Sequence, residues 1–243
     1  EGVVTASFGT SGTIYGCSDK PVTSPDGELA AFCSSTGTWL PLVCTMNVTV
    51  TTEHVRKLLD IDLDEFNLLA SQAEPGAGGI LCLPYFNGER TPALPAGKAN
   101  LAGMTTLNFN RQNLCRASME GATLGMKYAL EVMKESGVSP TEIRMVGGGA
   151  KSQLWRQIVA DIFECTVVCL ENEEAGAAGA AFQSMWCVNN YQGEEVSIKS
   201  ITESYVRLND SSRTTPDPDN VMAYKEVYER YLELNEALLP LNS

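Results

Sequence analysis

Ile143-Arg144-Met145-Val146, Gly147-Gly148-Gly149-Ala150-Lys151-Ser152 and Gln153-Leu154-Trp155-Arg156-Gln157-Ile158-Val159-Ala160-Asp161-Ile162-Phe163 form one continuous stretch on which the fold turns. The first piece is a short apolar run of strand type. The last places apolar residues at 154, 155, 158, 159, 162 and 163, the stripe of an amphipathic helix. With three glycines between them, the pattern predicts strand, glycine turn, helix. Such a junction offers free backbone N–H groups and the positive end of a helix dipole where no Cβ blocks approach, which suits a nucleotide. Tight packing alone also produces glycine-rich turns, and this stretch by itself leaves both readings open. Two narrower motifs are excluded: a P-loop, because Ala150 precedes Lys151, and a dinucleotide fingerprint, because Ser152 stands where glycine is required.

The 243 residues carry 17 basic and 30 acidic side chains, a net charge of −13, with no basic block to follow a phosphate backbone. This balance argues against nucleic acid as a partner. No apolar run is long enough to span a bilayer and no secretory leader opens the sequence, so no membrane partner is expected and the cytoplasm is the expected compartment. The eight cysteines form no Cys-x-x-Cys pair and have a single histidine, His54, to assist them. They are expected to be buried thiols, Cys165 and Cys169 included, and no metal site is expected. Asn47-Val48-Thr49 and Asn209-Asp210-Ser211 match a glycosylation pattern that is common by chance.

Glu1 is followed almost at once by the strand-like Val3–Phe8, so the sequence is expected to be cut from something longer. Gly9-Thr10-Ser11-Gly12 then leads into a second strand, which predicts a hairpin whose tip is made of glycines and hydroxyls. Its backbone N–H groups, with the Thr10 and Ser11 hydroxyls, would donate to phosphate, and Gly9 and Gly12 would admit unusual backbone angles. The same string also makes an ordinary turn. A lipase-type Gly-x-Ser-x-Gly elbow is not met, because residue 13 is Thr.

Strands are predicted at 29–34 and 38–44, helices at 47–59 and 63–73 with Asp62 as cap, and a strand at 80–84. Glu89 and Arg90 in the loop that follows read as a structural pair. A long buried helix is expected over 113–136, where Ala117, Gly121 and Gly125 would let another helix approach closely and Gly137 would end it. A strand at 166–170 precedes a small-residue helix, 175–182, whose glycines need close packing or a close ligand to offset their cost in helix propensity. The tail, 216–239, reads as a surface helix bracing the domain through Tyr224, Val227, Tyr228, Tyr231 and Leu234. No linker divides residues 1–243.

Taken together these pieces resemble the FGGY carbohydrate kinases, specifically their C-terminal, nucleotide-binding half. The family's signature is met by Ala99-Asn100-Leu101-Ala102-Gly103-Met104 and, eight residues on, Asn113-Leu114-Cys115-Arg116-Ala117-Ser118-Met119-Glu120. Phe8–Gly12, Asn87-Gly88-Glu89-Arg90-Thr91-Pro92, Gly147–Ser152 and Trp155-Arg156-Gln157 are similar as well. The resemblance implies an α/β, actin-like or ribonuclease-H-like ATPase domain, with a mixed five-stranded sheet and helices on both faces. It implies ATP and Mg²⁺ as cofactors. Gly9, Thr10, Ser11 and Gly12 would hold the β- and γ-phosphates, while Gly148, Gly149 and Ala150 would line the adenine side. Gln153, Thr49 and Glu53 are further nucleotide contacts by looser alignment. A pentulose, D-xylulose, would be held by an N-terminal domain absent from this chain. That domain would also supply the general base, upstream of Glu1, leaving no catalytic residue here and a fragment inactive alone. Ribulose, fuculose, gluconate or glycerol as acceptor, a non-catalytic nucleotide-binding module, an acidic scaffold domain, and assembly as a homodimer stay open.

Overall fold

The computed structural model describes residues 2–242. β1 (Val3–Phe8) and β2 (Gly12–Gly16) form the expected hairpin, with Phe8 opposite Gly12. β3 (Leu29–Cys33) and β4 (Trp39–Thr45) complete an antiparallel half, β4 lying against β2 with Thr45 opposite Gly12. The helices α1 (Thr49–Leu58) and α2 (Leu63–Ser71) follow, the latter capped by Asp62, whose carboxylate accepts the Glu65 N–H. β5 (Leu81–Leu83) and β6 (Asn100–Ala102) make a separate two-stranded sheet. The 25-residue α3 (Arg111–Glu135) crosses the core, and Gly137 beyond it adopts the left-handed conformation of a helix stop.

The decisive stretch folds as its pattern predicts. β7 (Glu142–Val146) runs parallel to β1 with Val146 beside Ser7. A 3₁₀ turn at Gly148–Lys151 follows, and then α4 (Gln153–Phe163). Trp155, Ile158, Val159, Ile162 and Phe163 are all buried, as the amphipathic stripe requires. β8 (Thr166–Leu170) pairs parallel with β7; then come α5 (Ala175–Tyr191), α6 (Ile198–Tyr205), β9 (Leu208–Thr214) and α7 (Pro218–Asn242).

The main sheet has the order β3-β4-β2-β1-β7-β8-β9. The expected mixed sheet with helices on both faces is present, but it has seven strands rather than five. β3 and β9 each extend it by one antiparallel strand at an edge. Alternation along the strands separates the two faces. Val4, Ala6, Phe8, Ile143 and Met145 point into the main core with α3 and α4, while Thr5, Tyr15, Arg144 and Val146 face a gap roofed by α5 and α6.

Two expectations are corrected and a third is narrowed. Along α3, the element that approaches at Gly121 is strand β5 and not a helix: a Cβ there would stand 2.8 Å from the Cys82 Cβ and closer still to its carbonyl oxygen. Cys17, Cys33 and Cys187 are exposed, so burial accounts only for the others, Cys82, Cys115 and Cys165 most fully. The α5 glycines, Gly176 and Gly179, have nothing within 4 Å of where a Cβ would stand, so packing within this chain does not account for them. The tail does brace the domain, with Tyr224, Val227 and Tyr231 buried in the core.

Candidate functional site

Two glycine-bearing corners meet at the C-terminal ends of β1 and β7. Gly147, at φ 90°, lies so close to the hairpin that a Cβ would stand 2.7 Å from the Phe8 carbonyl oxygen and 3.2 Å from the Gly9 nitrogen. No residue with a side chain fits there, and the positive φ independently favours glycine. Gly149 is pressed against the Phe8 Cβ and the Trp155 ring, which sets Phe8 and Trp155 edge to face at 5.7 Å. Gly148, by contrast, has open space where its Cβ would be.

At the hairpin tip, α1 approaches end-on. Thr49 N–H donates to the Gly9 carbonyl at 2.9 Å and Val48 N–H to the Thr10 carbonyl at 3.0 Å. The Gly9 and Thr10 carbonyls are thereby satisfied. Thr10 and Ser11 are exposed, and their N–H and hydroxyl groups donate to no described residue. A turn with two carbonyls turned to α1 and its donors free is suited to an anion. Contrary to the sequence reading, neither Gly9 nor Gly12 has a left-handed backbone. Gly12 is needed for space instead, since a Cβ would stand 2.7 Å from Val48 and 2.8 Å from Thr45, and nearer still to Met126.

Beyond Gly147 opens a cleft of about 510 Å³. Gly148 and Ala150 line it together with Leu170, Cys169 and Ser212. Arg156 fixes the turn by donating to the Ala150 carbonyl at 2.8 Å, and its Nε is buried without a partner among the described residues. Lys151 pairs with Glu173 across the mouth at 2.7 Å. The hairpin residues do not line this cleft; they border it through the Phe8–Gly9 contact with Gly147.

The remaining residues expected at the site lie around it. Gln153 is exposed in the first turn of α4, which Ser152 caps by accepting the Trp155 N–H. Thr49 begins α1. Glu53, one turn on, is held by two hydrogen bonds from Arg56, which keep its carboxyl below the ordinary 4.5. Sequence reading did not find the 171–174 loop, Asn209 or Ser212, which also line the cleft. Ser212 belongs to a polar edge strand with no apolar alternation to reveal it. Its hydroxyl accepts the Cys169 N–H at 2.8 Å at a break in the β8–β9 register. Among the described residues no group of three His, Cys, Asp or Glu side chains could hold a metal ion, and no helix is long and apolar enough to cross a membrane.

Residues 4–187 match the C-terminal domain of the FGGY family of carbohydrate kinases. The chain is 47% identical over 232 residues to the xylulose kinase of Haemophilus influenzae, covering 96% of this chain and 46% of that protein. It thus spans about half the length of that relative. The crystal structure of xylulose kinase from Bifidobacterium adolescentis superimposes with a TM-score of 0.78 at 35% identity, over 93% of this chain and 43% of that one. A gluconokinase from Bacillus licheniformis is 27% identical over 252 residues, which cover 98% of this chain and 48% of that protein.

Proposed function

The chain belongs to the FGGY family of carbohydrate kinases, as its C-terminal domain, and on that footing we propose that it is the nucleotide-binding half of an ATP-dependent xylulose kinase. The intact enzyme would transfer the γ-phosphoryl group of MgATP to the 5-hydroxyl of D-xylulose, in the cytoplasm. The observation that carries this reading is the junction of the two corners, where Gly147 abuts Phe8 and Gly9 beside an open cleft.

The residues present fit a nucleotide. Free N–H and hydroxyl donors at Thr10 and Ser11 suit phosphate oxygens. The uncrowded Gly148 and the half-apolar cleft wall at Ala150 and Leu170 suit a flat base. Gly9 to Gly12 would therefore take the β- and γ-phosphates and Gly148 and Ala150 the adenine side, with Gly149, expected there too but buried against Phe8 and Trp155, shaping the turn behind them, and with Gln153, Thr49 and Glu53 at the periphery. Mg²⁺ would ride on the phosphates, since it is commonly held by few carboxylates plus substrate oxygens rather than by a protein cage. Phosphoryl transfer depends mainly on positioning and on charge stabilisation, and this half supplies the donor's position. The general base and the sugar contacts are assigned to an N-terminal domain.

Resemblance to the H. influenzae enzyme favours D-xylulose, and similarity to a gluconokinase makes gluconate the second acceptor to try. A radiolabel transfer assay tests the proposal. The chain alone should transfer no label to either sugar, and supplemented with its N-terminal domain it should label D-xylulose in preference to gluconate. Robust transfer by residues 1–243 alone, or a preference for gluconate, would refute it.

A further inference from the structure

Glu89 is buried although it lies in a loop, and its carboxylate is held by backbone and amide N–H donors instead of a cation. One oxygen accepts the Met46 N–H at 2.7 Å and the Arg90 N–H at 2.8 Å, while the other accepts the Asn47 side-chain amide at 3.1 Å. Arg90 itself is exposed and contributes only its backbone N–H, so the expected side-chain pair is not formed. Asn47, also buried, donates to the Gly88 carbonyl at 2.7 Å and accepts the Asn87 N–H at 3.2 Å. The 87–90 loop and the β4–α1 junction are therefore clamped together through one buried anion.

The next two residues along the chain are Val48 and Thr49, whose N–H groups hold the Thr10 and Gly9 carbonyls. We propose that Glu89, acting through Met46 and Asn47, is a positioning residue that sets the phosphate-binding hairpin tip. This inference rests on the nucleotide-binding reading above and adds to it a residue outside both glycine corners. Bonds from N–H donors to an ionised carboxylate are shorter and stronger than neutral ones, so a buried anion fixes a backbone junction more firmly than a neutral amide would. Burial raises the Glu89 carboxyl above its ordinary 4.5, and the bonds from Arg90, Met46 and Asn47 oppose that rise. The adenine side is anchored separately, by β7 against β1 and by Arg156 on the Ala150 carbonyl. Disturbing Glu89 should therefore act on phosphate binding and spare the base.

In Glu89→Gln the new amide nitrogen faces the Asn47 amide donor, so one of the clamp's bonds becomes a donor–donor contact. Titration calorimetry of the chain with ADP and, separately, with adenosine tests this. Glu89→Gln should weaken ADP about tenfold, the loss of one charge-assisted contact's worth, and leave adenosine unchanged. Tyr224→Phe, which removes buried hydrogen bonds to Arg116 and Glu120 on the α3–α7 side of the core, should lower the melting temperature without changing the ratio of the two affinities. Should Glu89→Gln fail to fold, Glu89→Asp keeps the charge but shortens its reach and should show the same selectivity at a few-fold. Parental ADP affinity in the folded variant, or equal loss of ADP and adenosine, would overturn the positioning role while leaving the nucleotide site standing. No binding of either ligand by the unsubstituted chain would overturn the site itself and the positioning role with it.

Discussion

The two faces of the main sheet carry glycine-containing helices of opposite character. On α3, Gly121 lies against the Cys82 backbone with no room for a methyl group, and every residue from Cys115 to Lys127 is buried. On α5, Gly176 and Gly179 look into open space, and the helix has no buried residue. In sequence the two helices look alike, since each has small residues at helical spacing. What differs is the cause: the α3 glycine is demanded by a strand of this chain, whereas this fold sets no such demand on α5.

The same substitution should therefore have opposite signs on the two faces. Gly121→Ala gains up to about 1 kcal/mol of helix propensity but forces a methyl group into the Cys82 carbonyl, and overpacking of this kind costs roughly 1–3 kcal/mol or more. A net loss near the upper end, read as a fall in urea midpoint at unchanged m, is the largest effect expected. Gly179→Ala meets nothing and should raise stability by up to about 1 kcal/mol. A gain at Gly121, or a loss at Gly179, would break the comparison.

A smaller effect sharpens it from the electrostatic side. Burial alone would raise Glu131 on α3, but ion pairs with Lys127 at 2.8 Å and Lys134 at 3.1 Å outweigh it and hold the carboxyl below the ordinary 4.5. A depressed folded-state pKa contributes stability above pH 4.5 that disappears as pH falls through the lowered value. Because Glu131 is partly exposed, solvent screening limits this to less than about 1 kcal/mol. Chemical denaturation across pH 3 to 6 (roughly the carboxylate range) should show that limb, and Glu131→Gln should flatten it. An unchanged limb in the variant would remove the pair from the account.

Much of the fold and site was legible because the relevant constraints are local. The strand–glycine–helix stretch at 143–163, the hairpin around Gly9–Gly12 and the Asp62 cap each depend on residues close in sequence, and each forms. What was not legible depends on distant partners. Past Leu208, β9 is polar to its end, as suits an edge strand, and it is held partly by the Ser212 hydroxyl; α6 is only eight residues long. Local patterns mark six strands of the main sheet and miss only β9, whereas the count of five is what the family resemblance implies. Local sequence pairs Glu89 with its neighbour Arg90, since nothing nearby announces that a loop carboxylate is buried against Met46 and Asn47, more than forty residues away. Gly12 reads as a conformational glycine, yet its requirement is spatial and comes from Met126 on α3 together with Val48 and Thr45.

The central claim is that the hairpin tip and the Gly147 turn form a single nucleotide site. Amide NMR of the labelled chain during an ADP titration tests it most directly. Thr10 and Ser11 at one corner and Gly148 and Ala150 at the other should shift together, along one binding curve. Shifts confined to a single corner, shifts clustered elsewhere on the fold, or none at saturating ADP would contradict it.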